Sequence, residues 1–409
     1  MSTLEKLIAQ LCPDGVEYKP LGEIGIFFSG MSGVSNKWAD QGNCRFIEYM
    51  NVYENARIDV TRLAFATVKS MNQTSLQKGD VLFTAASEVP EECAIAGEIE
   101  DEIGDGVFAD DHLFGLRPKS NVGIANGYLK YAFQSPVFKT QITRYVRGVT
   151  RFYIAKQEFV KATIPLPPLP VQKEIVRMLD DMAGLIDALE EELAARKKQY
   201  EWYRDRLMIF GDDVERKPLG SFAEITRGGS LQKRDFTEAG IPCIHYGQIY
   251  TRFGVWTDKP LTYTSSEKVP GQKFASVGDI VMAVTSETVE DVCKCVAWIG
   301  DAPAAVSGHT AIIHHNQNPK FLSYYFHTSQ FATQKRHLAH GVKVIEVTPE
   351  RLKNVIIPFP AMSEQNKIVR KLDDMTALID GIEEEIALRK QQYELYRDKL
   401  LIFKKAVRK

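Results

Sequence analysis

Residues 169–210 read LPVQKEIVRMLDDMAGLIDALEEELAARKKQYEWYRDRLMIF, and residues 362–403 read MSEQNKIVRKLDDMTALIDGIEEEIALRKQQYELYRDKLLIF. At an offset of 193, positions 172–210 and 365–403 share 26 identities in 39, so the chain carries an internal duplication. In the first copy Ile175, Leu179, Met182, Ile186, Leu189, Leu193, Arg196, Tyr200, Tyr203, Leu207 and Phe210 follow one another at alternating steps of four and three. Ile368, Leu372, Met375, Ile379, Ile382, Ile386, Arg389, Tyr393, Tyr396, Leu400 and Phe403 repeat the frame. This is a heptad seam. Each stretch follows a proline run (Pro165, Pro167, Pro168 and Pro170; Pro358 and Pro360) and is free of proline beyond it, as the start of a helix requires. At 1.5 Å per residue each helix is expected to be roughly 60 Å long. A helix that long with one narrow apolar stripe is not stable alone, so the two are expected to zip together. A heptad seam is structural and carries no chemistry; function is expected in what the helices hold.

Length sets the next bound. At about 150 residues per domain, 409 residues suggest two or three units. The composition, 44% hydrophobic and 25% charged, is that of an ordinary soluble globular chain. No apolar run approaches the roughly 20 residues of a membrane span, and MSTLEKLIAQ carries no signal-peptide core, so a cytoplasmic protein is expected. Cys12, Cys44, Cys93, Cys243, Cys293 and Cys295 are scattered, and only the last two lie at close spacing. Without a second such pair no metal site is expected.

The net charge of −2 does not advertise a nucleic-acid binder, but it hides an asymmetry. Residues 128–161 hold seven bases against Glu158, and residues 320–353 hold six against Glu346 and Glu350. Residues 80–111 hold eleven acids and no base. One face of each globular half is therefore expected to be positive, and the acids from Glu88 to Asp111 are expected to form a solvated or partner-facing surface.

The duplication extends faintly beyond the helices. VEYKPLG at 16–22 is echoed by VERKPLG at 214–220, GDVL at 79–82 by GDIV at 278–281, and Gly148-Val149 by Gly341-Val342. Short β-branched or aromatic runs alternate with Gly, Asn and Asp turns. The expected fold class is α+β: two α/β globular halves with a mainly antiparallel twisted sheet, joined by two long helices pairing as an antiparallel coiled coil with pseudo-two-fold symmetry. The expected divisions are an N-terminal helix (1–15), a first globular domain (16–165), a central helix (166–213), a second globular domain (214–358) and a C-terminal helix (359–409). Residues 4–12 resemble the tail of the repeated helix, so the chain reads as a circularly permuted two-fold repeat.

A search for chemistry returns little. There is no Walker A loop, no GxGxxG after a strand, no HExxH and no GxSxG. His112 and His309 occupy corresponding positions but lack a repeated nucleophile or carboxylate, and are read as buried hydrogen-bonding histidines. An enzymatic site among Asp80, Glu88, Asp110, Asp111 and His112 is disfavoured, because the second copy has Ser307-Gly308 before His309. A frame kept twice with divergent surfaces suits recognition better than catalysis.

The signatures PLPPLPVQKEIVRMLDDM and PFPAMSEQNKIVRKLDDM, the openings KPLGEI and KPLGSF, the segment GIPCIHYG at 240–247, and the helix ends KKQYEWYRDRL and KQQYELYRDKL resemble the specificity subunit of type I restriction-modification systems. The resemblance covers essentially the whole chain. It implies that each globular half is a target recognition domain reading one half of a bipartite, asymmetric DNA site, and that the helices set the unread spacer. It also implies docking of two methyltransferase subunits and, through the complex, of restriction and translocase subunits. S-adenosylmethionine, ATP and Mg are then expected on those partners, with no cofactor and no catalytic residue on this chain. The candidate DNA contacts are Arg144, Arg147, Thr150, Arg151 and Tyr153 in the first half. In the second they are Arg227, Lys233, Arg234, Gln248, Tyr250, Arg252, Lys335, Arg336, His340 and Lys343. The competing reading is a coiled-coil protein–protein adaptor without DNA specificity.

Overall fold

The computed structural model describes residues 3–37, 41–265 and 273–406. It divides into two compact units, residues 1–189 with 385–409 and residues 190–384. Each unit takes part of both long helices, Leu169–Leu207 and Met362–Leu400. Both helices have 39 residues, about 60 Å of rise. Pro170 sits in the first turn of its helix, where its missing N–H is no loss. The last turns carry Arg204 and Arg206, and Arg397 and Lys399, which suits the negative end of the helix dipole.

In the first unit Val171, Ile175 and Leu179 share an apolar cluster with Tyr393, Leu400 and Leu401. In the second, Ile368, Val369 and Leu372 share one with Tyr200, Leu207 and Met208. Within each unit, then, the start of one helix lies beside the end of the other, which is antiparallel pairing. Lys197 and Glu383 form an ion pair at 2.6 Å across the seam. All seam positions are buried or half-buried except Tyr203 and Tyr396, each 40% exposed. At the polar step of the seam, Arg196 bonds Glu192 and Gln199, and Arg389 bonds Glu385 and Gln392. The equivalent residues Met208 and Leu401, one position past the seam leucines, are fully buried.

The globular part of each unit is built from several small sheets, mainly antiparallel. In the first unit one sheet runs Gly25–Ser29, Leu113–Pro118, Val81–Thr84, Ala96–Glu98, and a second runs Val34–Lys37, Ala64–Val68, Cys44–Ile47, Val107–Ala109, whose last pair is parallel. In the second unit Ala223–Arg227, Thr310–His315, Ile280–Ala283 and Cys295–Trp298 repeat the first sheet in the same order, with Trp256–Thr257 added in parallel. The central strands Val81–Thr84 and Ile280–Ala283 are buried along their whole length. Alternate residues serve two cores, as a period of two dictates. Val81 and Phe83 face the cluster shared with the helices while Leu82 faces Ile47 and Val52; Ile280 and Met282 face the helices while Val281 and Ala283 face Trp298.

Three acids of the Glu88–Asp111 stretch are interior, contrary to the solvated or partner-facing surface expected, while most of the others are exposed. Asp80, Glu98, Glu100 and Asp110 are buried. Asp80 receives two bonds from Arg117 at 2.8 and 2.6 Å, and Glu98 accepts the backbone N–H groups of Gly127 and Lys130. Buried acids need such partners, and here the partners lie some 30 or more residues away.

Two repeated contacts tie each globular part to the long helix that follows it. Buried Gln172 accepts from the Ala125 N–H (2.9 Å) and donates to the Gly123 and Pro167 carbonyls (3.1 and 2.7 Å). Buried Gln365 accepts from the Asn318 N–H (3.0 Å) and donates to the Gln317 side chain and the Pro360 carbonyl (2.8 and 3.0 Å). Two turns later Asp180 receives Lys130 Nζ at 2.8 Å and the Tyr131 hydroxyl at 2.5 Å. Asp373 receives Lys320 Nζ at 2.7 Å, the Tyr324 hydroxyl at 2.7 Å and Trp256 Nε1 at 3.2 Å.

Candidate nucleic-acid interface

Each unit presents one short hairpin. In the first, Val146–Arg147 pairs with Phe152–Ile154, which pairs in turn with Ala86–Ser87. In the second, Ile345–Glu346 pairs with Thr285–Ser286, and His340 bridges to Glu346. The turns share a backbone: Gly148 has φ +112° and Gly341 φ +114°. A Cβ at these positions would stand 2.1 Å from the Arg151 carbonyl oxygen or 1.9 Å from that of Val344. Only glycine fits there. The next residues, Val149 and Val342, are 87% and 95% exposed, so each hairpin ends on a projecting apolar side chain.

Basic and polar groups flank both tips. Arg144, Thr150 and Arg151 are exposed, and Tyr153 is half-exposed. Arg147 is also exposed, but its guanidinium bonds Glu158 at 2.5 Å and the Arg144 and Val146 carbonyls. In the second unit Arg336, His340 and Lys343 are exposed. Arg227 reaches Glu346 at 2.5 Å, so its charge is neutralised beside the hairpin. Lys233 and Arg234 lie exposed on the turn Lys233–Asp235, and Arg252 lies exposed at the end of the helix Tyr246–Thr251.

Three sequence-derived contacts have other work. Lys335 is 8% exposed, and its ammonium donates to the Glu290 and Val292 carbonyls at 2.5 and 2.8 Å. Burial holds its pKa below the usual lysine value. It cannot also reach a phosphate. Gln248 caps its own helix, accepting from the His245 N–H and donating to Thr262. Tyr250 is half-buried, with its hydroxyl donating to the Thr285 carbonyl at 2.7 Å. His112 and His309 also depart from expectation, since both are exposed. His309 Nδ1 lies 3.1 Å from Thr285 Oγ1, and its ring stands 5.0 Å from that of Tyr246.

Sequence reasoning named Tyr250 but missed Tyr49, Tyr53 and Tyr246 behind the hairpins. In the first unit Tyr49, Tyr53, His112, Thr150 and Arg151 line a cleft of about 660 Å³. The Tyr49 and Tyr53 rings stack at 6.1 Å; Tyr49 donates to the Ala86 carbonyl and Tyr53 to Glu92. The second unit sets Tyr246 and Tyr250 on the corresponding helix. The signal was available, because Tyr49, Tyr53 and His112 recur 197 positions on as Tyr246, Tyr250 and His309. Exposed cations, polar tips and aromatic faces together suit phosphate contact and base-edge readout. The Asp110, Asp111 and His112 group is bridged by the Lys37 ammonium, which bonds both carboxylates.

Residues 13–196 and 211–388 match the family described as the type I restriction modification DNA specificity domain. The chain is 32% identical over 270 residues to the EcoR124I/EcoR124II specificity subunit of Escherichia coli, a match covering 62% of this chain and 66% of that protein. The chain thus spans just under two thirds of that relative. It is 24% identical over 387 residues to a putative MjaX specificity subunit of Methanocaldococcus jannaschii, covering 87% and 85%. Among solved structures, a chain from a type I R-M system aligns with TM-score 0.61 at 17% identity, covering 96% of this chain and 98% of that one. The HsdS subunit from Thermoanaerobacter tengcongensis aligns with TM-score 0.51 at 17% identity, covering 96% and 97%. With two copies of the family domain spanning nearly its whole length, the chain belongs to the type I restriction-modification DNA specificity family.

Proposed function

We propose that this chain is the sequence-specific DNA-binding subunit of a type I restriction-modification complex, each globular domain reading one half of a bipartite asymmetric site. The observation that carries the reading is the pair of hairpins, one per unit, with the same glycine geometry and different flanking side chains. Arg144 and Arg151, and Arg336 and Lys343, make phosphate contacts that supply salt-dependent affinity. Val149, Thr150 and Tyr153, with Val342 and His340, meet base edges and supply discrimination. The chain performs no catalysis. The paired helices set the unread spacer, and two methyltransferase subunits dock on them and bring S-adenosylmethionine; ATP and Mg belong to the restriction and translocase subunits. Exposed apolar residues that repeat at the 193 offset, Leu185 and Leu378, Trp202 and Leu395, and Ile209 and Ile402, support a helix face made for docking.

The test is to co-express the chain with its methyltransferase subunit in a methylation-free host and map N6-methyladenine by long-read sequencing. A bipartite motif with a fixed spacer is expected. A stable complex that binds DNA without yielding any motif would leave a binding role and remove methylation targeting. Binding measured at two salt concentrations separates the adaptor reading, which predicts no steep salt dependence.

A further inference from the structure

Besides the apolar core it shares with the helices, each globular domain is hydrogen-bonded to its own long helix at two repeated points eight residues apart, Gln172 and Asp180 in one unit and Gln365 and Asp373 in the other. Eight residues is about 12 Å of helix. Apolar packing is non-directional, whereas two directed bonds at that separation define an angle. We propose that Asp180 and Asp373 are positioning residues that fix the angle of each recognition domain on its helix, and so restrict methylation to sites of one spacer length. The inference rests on the proposed DNA-specificity function and deepens it.

Three observations support it. The tyrosines obey the repeat, Tyr131 and Tyr324 lying 193 positions apart, and both donate to the aspartate. The lysines do not obey it: Lys130 adjoins Tyr131, whereas Lys320 lies one helical turn before Tyr324. The same carboxylate–phenol–ammonium group is thus completed by an ammonium from a different sequence position in two domains whose other surfaces have diverged. The groups are also costly to place. Lys130 is buried and bonds Glu100 at 2.6 Å as well as Asp180, and burial and the aspartate bond push both phenols well above the usual tyrosine range. Asp180 itself is exposed and Lys320 and Asp373 are half-buried, so these ion pairs are a poor source of stability compared with apolar packing. What they add is direction, because charge-assisted bonds are short and geometrically demanding.

The test uses the full chain co-expressed with its methyltransferase subunit, reading N6-methyladenine at half-site pairs sorted by spacer length. Asp180→Asn removes the charge while Lys130 keeps Glu100; Tyr131→Phe removes one bond and leaves the ion pair. Asp181→Asn, which loses only the surface pair with Arg177, is the reference and should behave as wild type. In Asp180→Asn the bases of both half-sites are expected to stay the same. Methylation at sites with a spacer one base pair longer or shorter should rise roughly tenfold, the population shift that follows from losing a charge-assisted bond. Tyr131→Phe should give a smaller rise in the same direction, and Asp180→Glu should partly restore the strict spacer. Strict spacing in both Asp180→Asn and Tyr131→Phe would overturn the proposal, as would a change of half-site bases. If Asp180→Asn fails to accumulate as folded protein, Tyr131→Phe decides. A wild-type chain that yields no bipartite motif would instead overturn the underlying function.

Discussion

Lys335 and Arg336 are neighbours in sequence with opposite surroundings, so replacing each in turn should separate folding from DNA binding. Lys335→Met keeps the apolar stem and deletes the ammonium, which leaves the carbonyls of buried Val292 and of exposed Glu290 without this donor. An orphaned buried acceptor costs about 1–3 kcal/mol. Methionine recovers part of that, because burial already disfavours the charged lysine. The expected net loss is about 1–2 kcal/mol, a fall of a few degrees in Tm at about 2–4 °C per kcal/mol for a unit of this size. DNA affinity and its salt dependence should stay within about twofold, a change worth under roughly 0.5 kcal/mol. Arg336→Ala should do the reverse, leaving Tm in place and lowering the slope of log K against log salt by about 0.9. Differential scanning fluorimetry and anisotropy titrations at three salt concentrations give both numbers from one preparation. A Lys335→Met chain with wild-type Tm and a reduced salt slope would refute the reasoning, because the lysine would then be reaching phosphate.

Gly148→Ala forces a side chain onto a backbone at φ +112° against the Arg151 carbonyl. It should cost about 1–3 kcal/mol in the hairpin and relax methylation specificity at one half-site only, visible in the mapped motif; a loss shared by both half-sites would count against it. Burial pushes the Glu98 carboxyl from 4.5 up to about 7, over the smaller opposing pull of the Lys130 and Gly127 N–H groups. Between those values the folded chain holds a proton that the unfolded chain has released, so this group's contribution to stability falls as pH rises through the window. Glu98→Gln should flatten that slope, measured as urea midpoints at pH 5 and 7.5; an unchanged slope would reject the assignment. Inserting one heptad after Leu189 and one after Glu384 adds about 10 Å to each helix. The methylated motif should then gain about three base pairs of spacer with both half-sites unchanged, and altered half-site bases would sink the ruler.

The helices were legible because a heptad frame is a local signal: spacing alone placed Ile175, Leu179 and Ile186 on the buried side. The repeated Gly-Val marked a shared loop, since a turn that excludes Cβ leaves its mark at one position, but the strand pairing that makes it a hairpin was not read from the sequence. What lay outside the sequence was the environment of individual charges. Lys335 reads like any basic residue until the Glu290 and Val292 carbonyls, more than 40 positions earlier, fold against it. Glu98 reads as a solvated or partner-facing acid until the Gly127 and Lys130 N–H groups reach it. Tyr49 and Tyr53 were overlooked because paired tyrosines on a short helix resemble core residues; only their recurrence with His112 distinguishes them. Gln172 and Asp180 sat in the most repetitive part of the chain, where identity between copies was credited to the seam.

The first unit is not complete in the first half of the polypeptide. Residues 385–409 belong to it, Leu401 is buried in its core, and the Val16 N–H bonds the Lys404 carbonyl while the Ala406 N–H bonds Val16 in return. On the ribosome, at about 5–20 residues per second, residue 385 emerges roughly 10–40 s after residue 189. Throughout that interval the apolar stripe of the first long helix and the pocket for Leu401 stand open, whereas the second unit has all of its chain by residue 384. A premature stop late in the message therefore damages the domain that was made first. The assembling cell faces a nascent protein whose earliest domain is the last to close, and chaperone occupancy during synthesis should track that gap.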